Sequence, residues 1–229
     1  MSEAPLPPRS YPRKTRPDDP YADAPYLPGR LDQPVALDSI FTHAAATAAP
    51  IELEIGGGRG AFTLERLAFD ADVCVLGLEI RKKWATIVDR KLAALGLASR
   101  GRVFAEDARL ALPRLRPDGR VRAVFLHFPD PWWKKKHEKR LVMGEGVQTE
   151  IERLLCEGGE LFVQTDVEHR ALQYRAFLDG RAALSPMGDV EGDPHLAANP
   201  YGARSPREKR AITDGIPVHR LRYRKLDGR

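Results

Sequence analysis

The chain has 229 residues, 42% of them hydrophobic, with 37 Lys and Arg against 32 Asp and Glu for a formal net charge of +5 at pH 7. That is apolar content for one substantial core, and a slight basic balance that fits an anionic partner without demanding one. Cys74 and Cys156 lie far apart with no CxxC pair, which excludes a disulfide scaffold and a structural zinc site. No apolar run nears the roughly 18 to 20 residues of a membrane helix and the MSEAPLPPRSYPRK start lacks a signal-peptide core, so a cytoplasmic protein is expected.

Residues 1–34 are proline-rich and poor in aliphatic side chains, so they are expected to form a flexible basic tail, with the folded domain spanning 35–229. Arg9, Arg13, Lys14, Arg16 and Tyr11 in that tail fit an arm trailing along RNA and equally a plain solvated arm. The apolar, Ala-rich stretch 35–49 predicts a helix that stops at Pro50. A short strand follows at 51–55, then Gly56-Gly57-Gly58-Arg59-Gly60, then a helical recurrence of Phe62, Leu64 and Leu67. Glycines let a backbone turn tightly and let a ligand lie against it, so this loop suits a nucleotide-like cofactor. Gly56, Gly58 and Ala61 also satisfy the G-x-G-x-x-G/A dinucleotide pattern, and a ligand-free turn is a third reading. Glu54 stands out, because an acid inside a buried strand is costly without a partner, and a cationic cofactor would supply one.

A second strand, 73–78, ends at Glu79, where a strand-tip acid can accept both ribose hydroxyls of a cofactor. The helix predicted over 81–95 places Trp84, Ile87, Val88, Leu92 and Leu95 on one face, with Trp84 read as core. A third strand, 102–105, carries Glu106 and Asp107 at its end, where an acid either binds an adenine amino group or caps the next turn. The strand predicted over 121–128 stops at Pro129, and Asp130 sits between two prolines at the position where open α/β sheets bind ligands. Trp132 and Trp133 come next, then Lys134, Lys135, Lys136, Lys139 and Arg140: stacking surface beside positive charge, as a nucleic-acid groove requires. The competing structural readings are a turn-shaping Asp, sheet-edge tryptophans and a solvated helix start. A helix over 146–156 and a strand over 159–165 lead to Asp166. Acids at successive strand ends with helices between them predict an α/β fold with a doubly wound parallel sheet. His127 and His137 lack companion ligands, so no metal is expected.

The runs LEIGGGRG from Leu53, GLEIR from Gly77, FPDPWWKKKHEKR from Phe128, QTDVE from Gln164 and SPREKRAITDGIPVHRLRYRK from Ser205 resemble the bacterial tRNA (guanine-N7-)-methyltransferases over about residues 35–226. The FPDPW-K-K-H-KR element is the specific part; the glycine loop alone marks only a class I S-adenosylmethionine-dependent methyltransferase. The resemblance implies a Rossmann-like, mostly parallel seven-stranded sheet with an antiparallel last strand, S-adenosylmethionine as cofactor, tRNA as partner, and methylation of N7 of the variable-loop guanosine. It implies cofactor contacts at Glu54, Gly56, Gly58, Glu79, Asp107 and Asp130, with Asp130 also the catalytic position. It implies substrate contacts at Lys134, Asp166, Ser205, Pro206, Arg207 and Glu208. The family segment commonly begins Thr-Lys-Phe-Glu, so Pro206 and Arg207 are departures that raise the question of backbone geometry there. Two other classes stay open: a non-catalytic RNA-binding module of the same fold, and an NAD-dependent oxidoreductase that would leave PDPWWKKKH unexplained. Monomer and homodimer are equally compatible with the sequence.

Overall fold

The computed structural model describes residues 18–129 and 144–228. Asp130, Trp132, Trp133 and the cations from Lys134 to Arg140 lie outside the described residues, as do Arg9, Tyr11, Arg13, Lys14 and Arg16. The chain begins with a two-residue strand β1 (Val35–Ala36) and two short helices, α1 (Leu37–Ile40) and α2 (Thr42–Thr47). Strand and helix then alternate through β2 (Ile51–Ile55), α3 (Ala61–Phe69), β3 (Cys74–Leu78), α4 (Lys82–Ala94) and β4 (Gly101–Phe104). After α5 (Ala108–Ala111) and β5 (Leu115–Arg116) come β6 (Val121–His127), α6 (Glu145–Leu154), β7 (Leu155–Thr165) and α7 (Glu168–Asp179). The final elements are β8 (Leu184–Pro186), α8 (Pro206–Thr213) and β9 (His219–Lys225).

Seven strands form one sheet in the order β4-β3-β2-β6-β7-β9-β8, in which β9 alone runs opposite to the other six. The expected doubly wound sheet with an antiparallel last strand is therefore the one observed. All five residues of β2 are buried, as a central parallel strand covered on both faces must be. One face packs Ile51, Leu53 and Ile55 with Leu76, Val124 and Leu161 against α1, α2, α6 and α7. The other face carries two smaller clusters. In one, Val75 and Val103 meet Leu67, Val88 and Leu92 of α3 and α4; in the other, Phe125 and Phe162 meet Phe62, Leu196 and Ala203. The chain leaves β2 toward β3 and β4, then returns to β6 on the other side. The switch point thus lies between β2 and β6, where sheets of this kind open a crevice.

Three expectations are corrected. Residues 35–49 do not make one helix: Phe41 is fully buried in extended conformation (φ −120°, ψ 112°), and β1 pairs with β5, so packing of one aromatic splits the segment. Trp84 is not core; α4 buries Ala85, Val88 and Leu92, while Ile87 and Leu95 are exposed, so the apolar stripe is rotated toward the smaller residues. Residues 18–34, expected within a flexible tail, pack on the sheet edge. Leu27 is fully buried and donates its N–H to Glu106 Oε1 at 3.0 Å, the Ala105 N–H bonds the Pro25 carbonyl at 2.7 Å, and Lys82 meets Asp19 at 2.7 Å. The prolines there satisfy backbone geometry that needs no ladder hydrogen bonds. Burial of Leu27 gives a direct check: Leu27→Ala should lower unfolding free energy by about 2 to 5 kcal/mol, read by urea titration, whereas a tail residue would cost nothing measurable.

Candidate active site

Alternation along β2 puts Glu52 and Glu54 on one face, under α3. Thr63 and Arg66 stand one turn apart on that helix and answer the two acids differently. Arg66 holds Glu52 with two bonds of 2.8 and 2.9 Å, and Arg122 adds a second cation. Glu54, equally buried, takes a short hydrogen bond from the Thr63 hydroxyl, and no cation pairs with it among the described residues. Burial, reinforced by the nearby charge of Glu79 and only partly opposed by Thr63, pushes the Glu54 carboxyl from 4.5 up to about 7. The carboxylate lies directly beneath the glycine loop: a Cβ on Gly57 would stand 2.8 Å from Glu54 Oε2. Gly60, at φ +72°, would carry a Cβ only 2.4 Å from Val88 Cγ1, so both the turn and the packing of α3 on α4 need glycine.

Glu79 closes β3 and is 2% exposed. One oxygen accepts the Gly58 N–H at 2.8 Å; the other accepts the Arg81 N–H at 2.8 Å and Arg81 Nε at 3.0 Å. Arg81 is 58% exposed, so its side chain is free to leave this bond while its backbone N–H stays. Asp107 realises the capping reading: it is the N-cap of α5, accepting the Arg109 N–H at 3.0 Å, and it also pairs with the Arg109 side chain. Burial works against its ionisation, yet the Arg109 bonds win and hold the carboxyl below its usual range.

Gly56, Gly58 and Glu54 line a cavity of about 390 Å³ at the switch point, shared with the ends of β6 and β7 and the start of α8. Phe128 and Pro129 form its β6 wall. Phe128 has φ +49°, a strained conformation for a bulky residue, costing on the order of 1 to 3 kcal/mol, and it is fixed by a 2.8 Å bond from its N–H to the Gln164 carbonyl. His127, buried between Phe62 and Phe125, meets Gln164 Oε1 through Nδ1 at 2.8 Å, while its Nε2 has no partner among the described residues. Desolvation lowers its pKa to about 4, so the imidazole is neutral at physiological pH. Across the cavity, Asp166 at the end of β7 is ion-paired with Arg207. Ser205 caps α8, its hydroxyl accepting the Glu208 N–H at 3.2 Å. Pro206 occupies the first position of that helix, where a missing N–H costs nothing, so the departure from the family pattern is compatible with a regular helix start. Glu208 is turned away from the cavity: fully buried, it accepts two bonds from Arg220 at 3.0 and 3.1 Å and one from Asn199 at 2.9 Å.

The structure thus gathers Glu54, Gly56, Gly58, Asp166, Ser205, Pro206 and Arg207 around one cavity, and keeps Asp107 and Glu208 in structural bonds. A family profile described as putative methyltransferase matches residues 48–221. The tRNA (guanine-N(7)-)-methyltransferase of Myxococcus xanthus (strain DK1622) is 35% identical over 176 residues, 77% of this chain and 84% of that protein. That of Anaeromyxobacter dehalogenans (strain 2CP-C) is 37% identical over 175 residues, 75% of this chain and 84% of that protein. The chain belongs to the tRNA (guanine-N(7)-)-methyltransferase family. Among solved structures, StiE O-MT superposes with a TM-score of 0.51 at 15% identity, over 82% of this chain and 73% of that one, a likeness of fold alone.

Membership in this methyltransferase family bears out the sequence resemblance and, with it, the class I fold. Among the described residues no helix is long and apolar enough to cross a membrane, and no group of three or more His, Cys, Asp or Glu is placed to hold a metal ion. Sequence reasoning missed Thr63, Arg59, Thr165 and the cavity-facing place of His127; a Thr three residues after the loop was the one legible signal, since it falls over the strand acid. Glu54 makes stability pH-dependent. The folded state keeps its proton up to about pH 7 while the unfolded chain releases it near 4.5, so the contribution of Glu54 to stability falls as pH rises through that window. His127, lowered from 6.5 to about 4, contributes the opposite slope, so the Glu54 share is read as the stability difference between the wild type and Glu54→Gln: it should fall by about 3 kcal/mol and level off above pH 7 in denaturant titrations of both proteins from pH 4.5 to 8.

Proposed function

We propose that this chain transfers a methyl group from S-adenosylmethionine to N7 of the variable-loop guanosine in tRNA. The observation that carries the reading is the buried Glu54, without a cation among the described residues, beneath a glycine loop at one end of a cavity whose other end is walled by Asp166 and Ser205. A cationic ligand end fits there: it would ionise Glu54, and its α-carboxylate would find the backbone N–H groups of the loop. Glu79, once Arg81 swings out, takes the ribose hydroxyls. Asp107, which caps α5, is assigned to the adenine side, where a cofactor amino group would displace the Arg109 side chain from its carboxylate.

The cofactor supplies an electrophilic methyl carbon. Guanine N7 has a free lone pair and no proton to lose, so the chain needs no strong base; it must hold N7 in line and at near-attack distance. The product ring is positively charged, and a carboxylate accepting hydrogen bonds from the guanine edge both orients the base and stabilises that charge. Asp130, following β6 and the strained Phe128, is assigned this role, and Asp166 on the neighbouring strand end is assigned to the same base. Lys134 and the cations through Arg140 are assigned to phosphates. The non-catalytic reading rested on Pro206 and Arg207, and the helix start accommodates the proline; nothing in the fold or the relatives favours it or the oxidoreductase.

Unmodified tRNA incubated with the protein and S-adenosylmethionine should gain 7-methylguanosine, detected by nucleoside mass spectrometry. Asp130→Asn removes charge while keeping size, and should abolish that product with the melting temperature unchanged; wild-type turnover would remove Asp130 from the chemistry. Glu79→Ala should weaken S-adenosylhomocysteine binding about ten-fold or more by calorimetry, the scale of a lost charge-assisted hydrogen bond, and an unchanged affinity would refute the ribose assignment.

A further inference from the structure

Methyl transfer leaves one feature beside the glycine loop unused. Trp84, in the first turn of α4, is half-buried, although α4 has a core-facing stripe in Ala85, Val88 and Leu92. The Arg59 guanidinium lies 4.8 Å from the centre of its ring and Lys83 Nζ 5.2 Å. Among the described residues neither cation has an ion-pair partner, while the neighbouring Lys82, Arg81 and Arg102 are answered by Asp19, Glu79 and Asp89. Arg59 also lines the cavity, so the cluster is continuous with the reaction site. It lies on the β3 side of β2, away from β6.

An exposed cation over a half-buried ring stabilises a fold little, and the part of a large ring left in water is an unfavourable surface for a fold to keep. Two uncompensated cations flanking an aromatic ring at the rim of the cavity complement a polyanion whose bases present π-faces. We propose that Arg59, Lys83 and Trp84 form an RNA contact on the β3 flank of the cavity, which neutralises phosphates of the strand next to the target guanosine and packs an unpaired base on Trp84. The inference rests on the tRNA methyl-transfer reading. It adds that the RNA spans the glycine loop as well as the β6 side, so that the substrate covers the cofactor.

The test is filter binding of an unmodified tRNA transcript to the full-length wild type, Trp84→Ala, Trp84→Phe and Lys83→Gln across a salt series, with S-adenosylhomocysteine titrations alongside. Trp84→Ala should weaken tRNA binding at least about five-fold, with Trp84→Phe retaining most of it, because stacking needs a ring of any kind. Lys83→Gln should lower the slope of log affinity on log salt by about 0.7, one single-strand phosphate. S-adenosylhomocysteine affinity should stay at the wild-type value in all three. Wild-type tRNA affinity in Trp84→Ala with an unaltered slope in Lys83→Gln overturns the proposal, as does parallel loss of tRNA and S-adenosylhomocysteine, which would make Trp84 a prop for the loop. Should Trp84→Ala fail to melt cooperatively, Trp84→Phe and Lys83→Gln decide alone. A wild type that forms no 7-methylguanosine defeats the functional reading instead, so the two failures are separable.

Discussion

A carboxyl group buried with no cation beside it among the described residues sets the terms for the rest of the molecule. Glu54 sits in the central strand, and a charge there is unfavourable enough that the protein keeps a proton on it up to about pH 7. Glu52, two residues earlier on the same strand face, has the same burial and the opposite solution, a clamp from Arg66 and Arg122. The comparison separates structure from function within five residues. One acid is satisfied by the fold and ties α3 to the sheet; the other is left with a hydroxyl from Thr63, beneath a loop with no side chain at Gly57 to cover it. Glycine at 60 then lets α3 start close against α4, which fixes Thr63 and Arg66 over their two acids.

The opposite wall of the cavity is built by holding three loose ends in place. Phe128 is forced through a left-handed conformation and anchored to the Gln164 carbonyl, and the neighbouring His127 side chain bonds the Gln164 side chain, so the ends of β6 and β7 are locked in register. The start of α8 is brought over that pair by the buried Glu208–Arg220 ion pair, which ties the helix to β9. Glu208 thereby acts at a distance, as the anchor that lets Ser205 and Arg207 reach the cavity. Breaking one partner of such a buried pair leaves an uncompensated charge, so the anchor is stiff.

The strand runs, the glycine loop, and the acids at 54, 79 and 166 were legible because burial in a parallel sheet demands apolar runs, and charge at their ends has few structural reasons to be there. Helix faces were less legible. In α4 the sequence offers a larger apolar set through Trp84, Ile87 and Leu95 than the one the fold buries, and only the position of Val88 against Gly60 selects the face. Residues 18–34 read as tail because proline content hides packing that does not depend on regular structure; Leu27 alone carries the signal. Glu208 looked like a substrate contact, and its partner Arg220 lies twelve residues away across a turn, a pairing that spacing cannot reveal.

Neutrality of His127 bears on the chemistry. A histidine at the end of a sheet strand, in a methyltransferase cavity, invites a role as proton carrier, and desolvation to a pKa of about 4 removes it: at physiological pH the ring holds only the single N–H of its neutral form, and a second proton taken up would be held poorly. Alkylation of guanine N7 has no use for such a carrier. It creates positive charge on the base, and a protonated imidazole in the same wall would oppose that charge. Aromatic packing around His127 keeps it uncharged, and Asp166 answers the Arg207 guanidinium at the rim, so the β6 and β7 side of the cavity adds no uncompensated positive charge where the base becomes cationic.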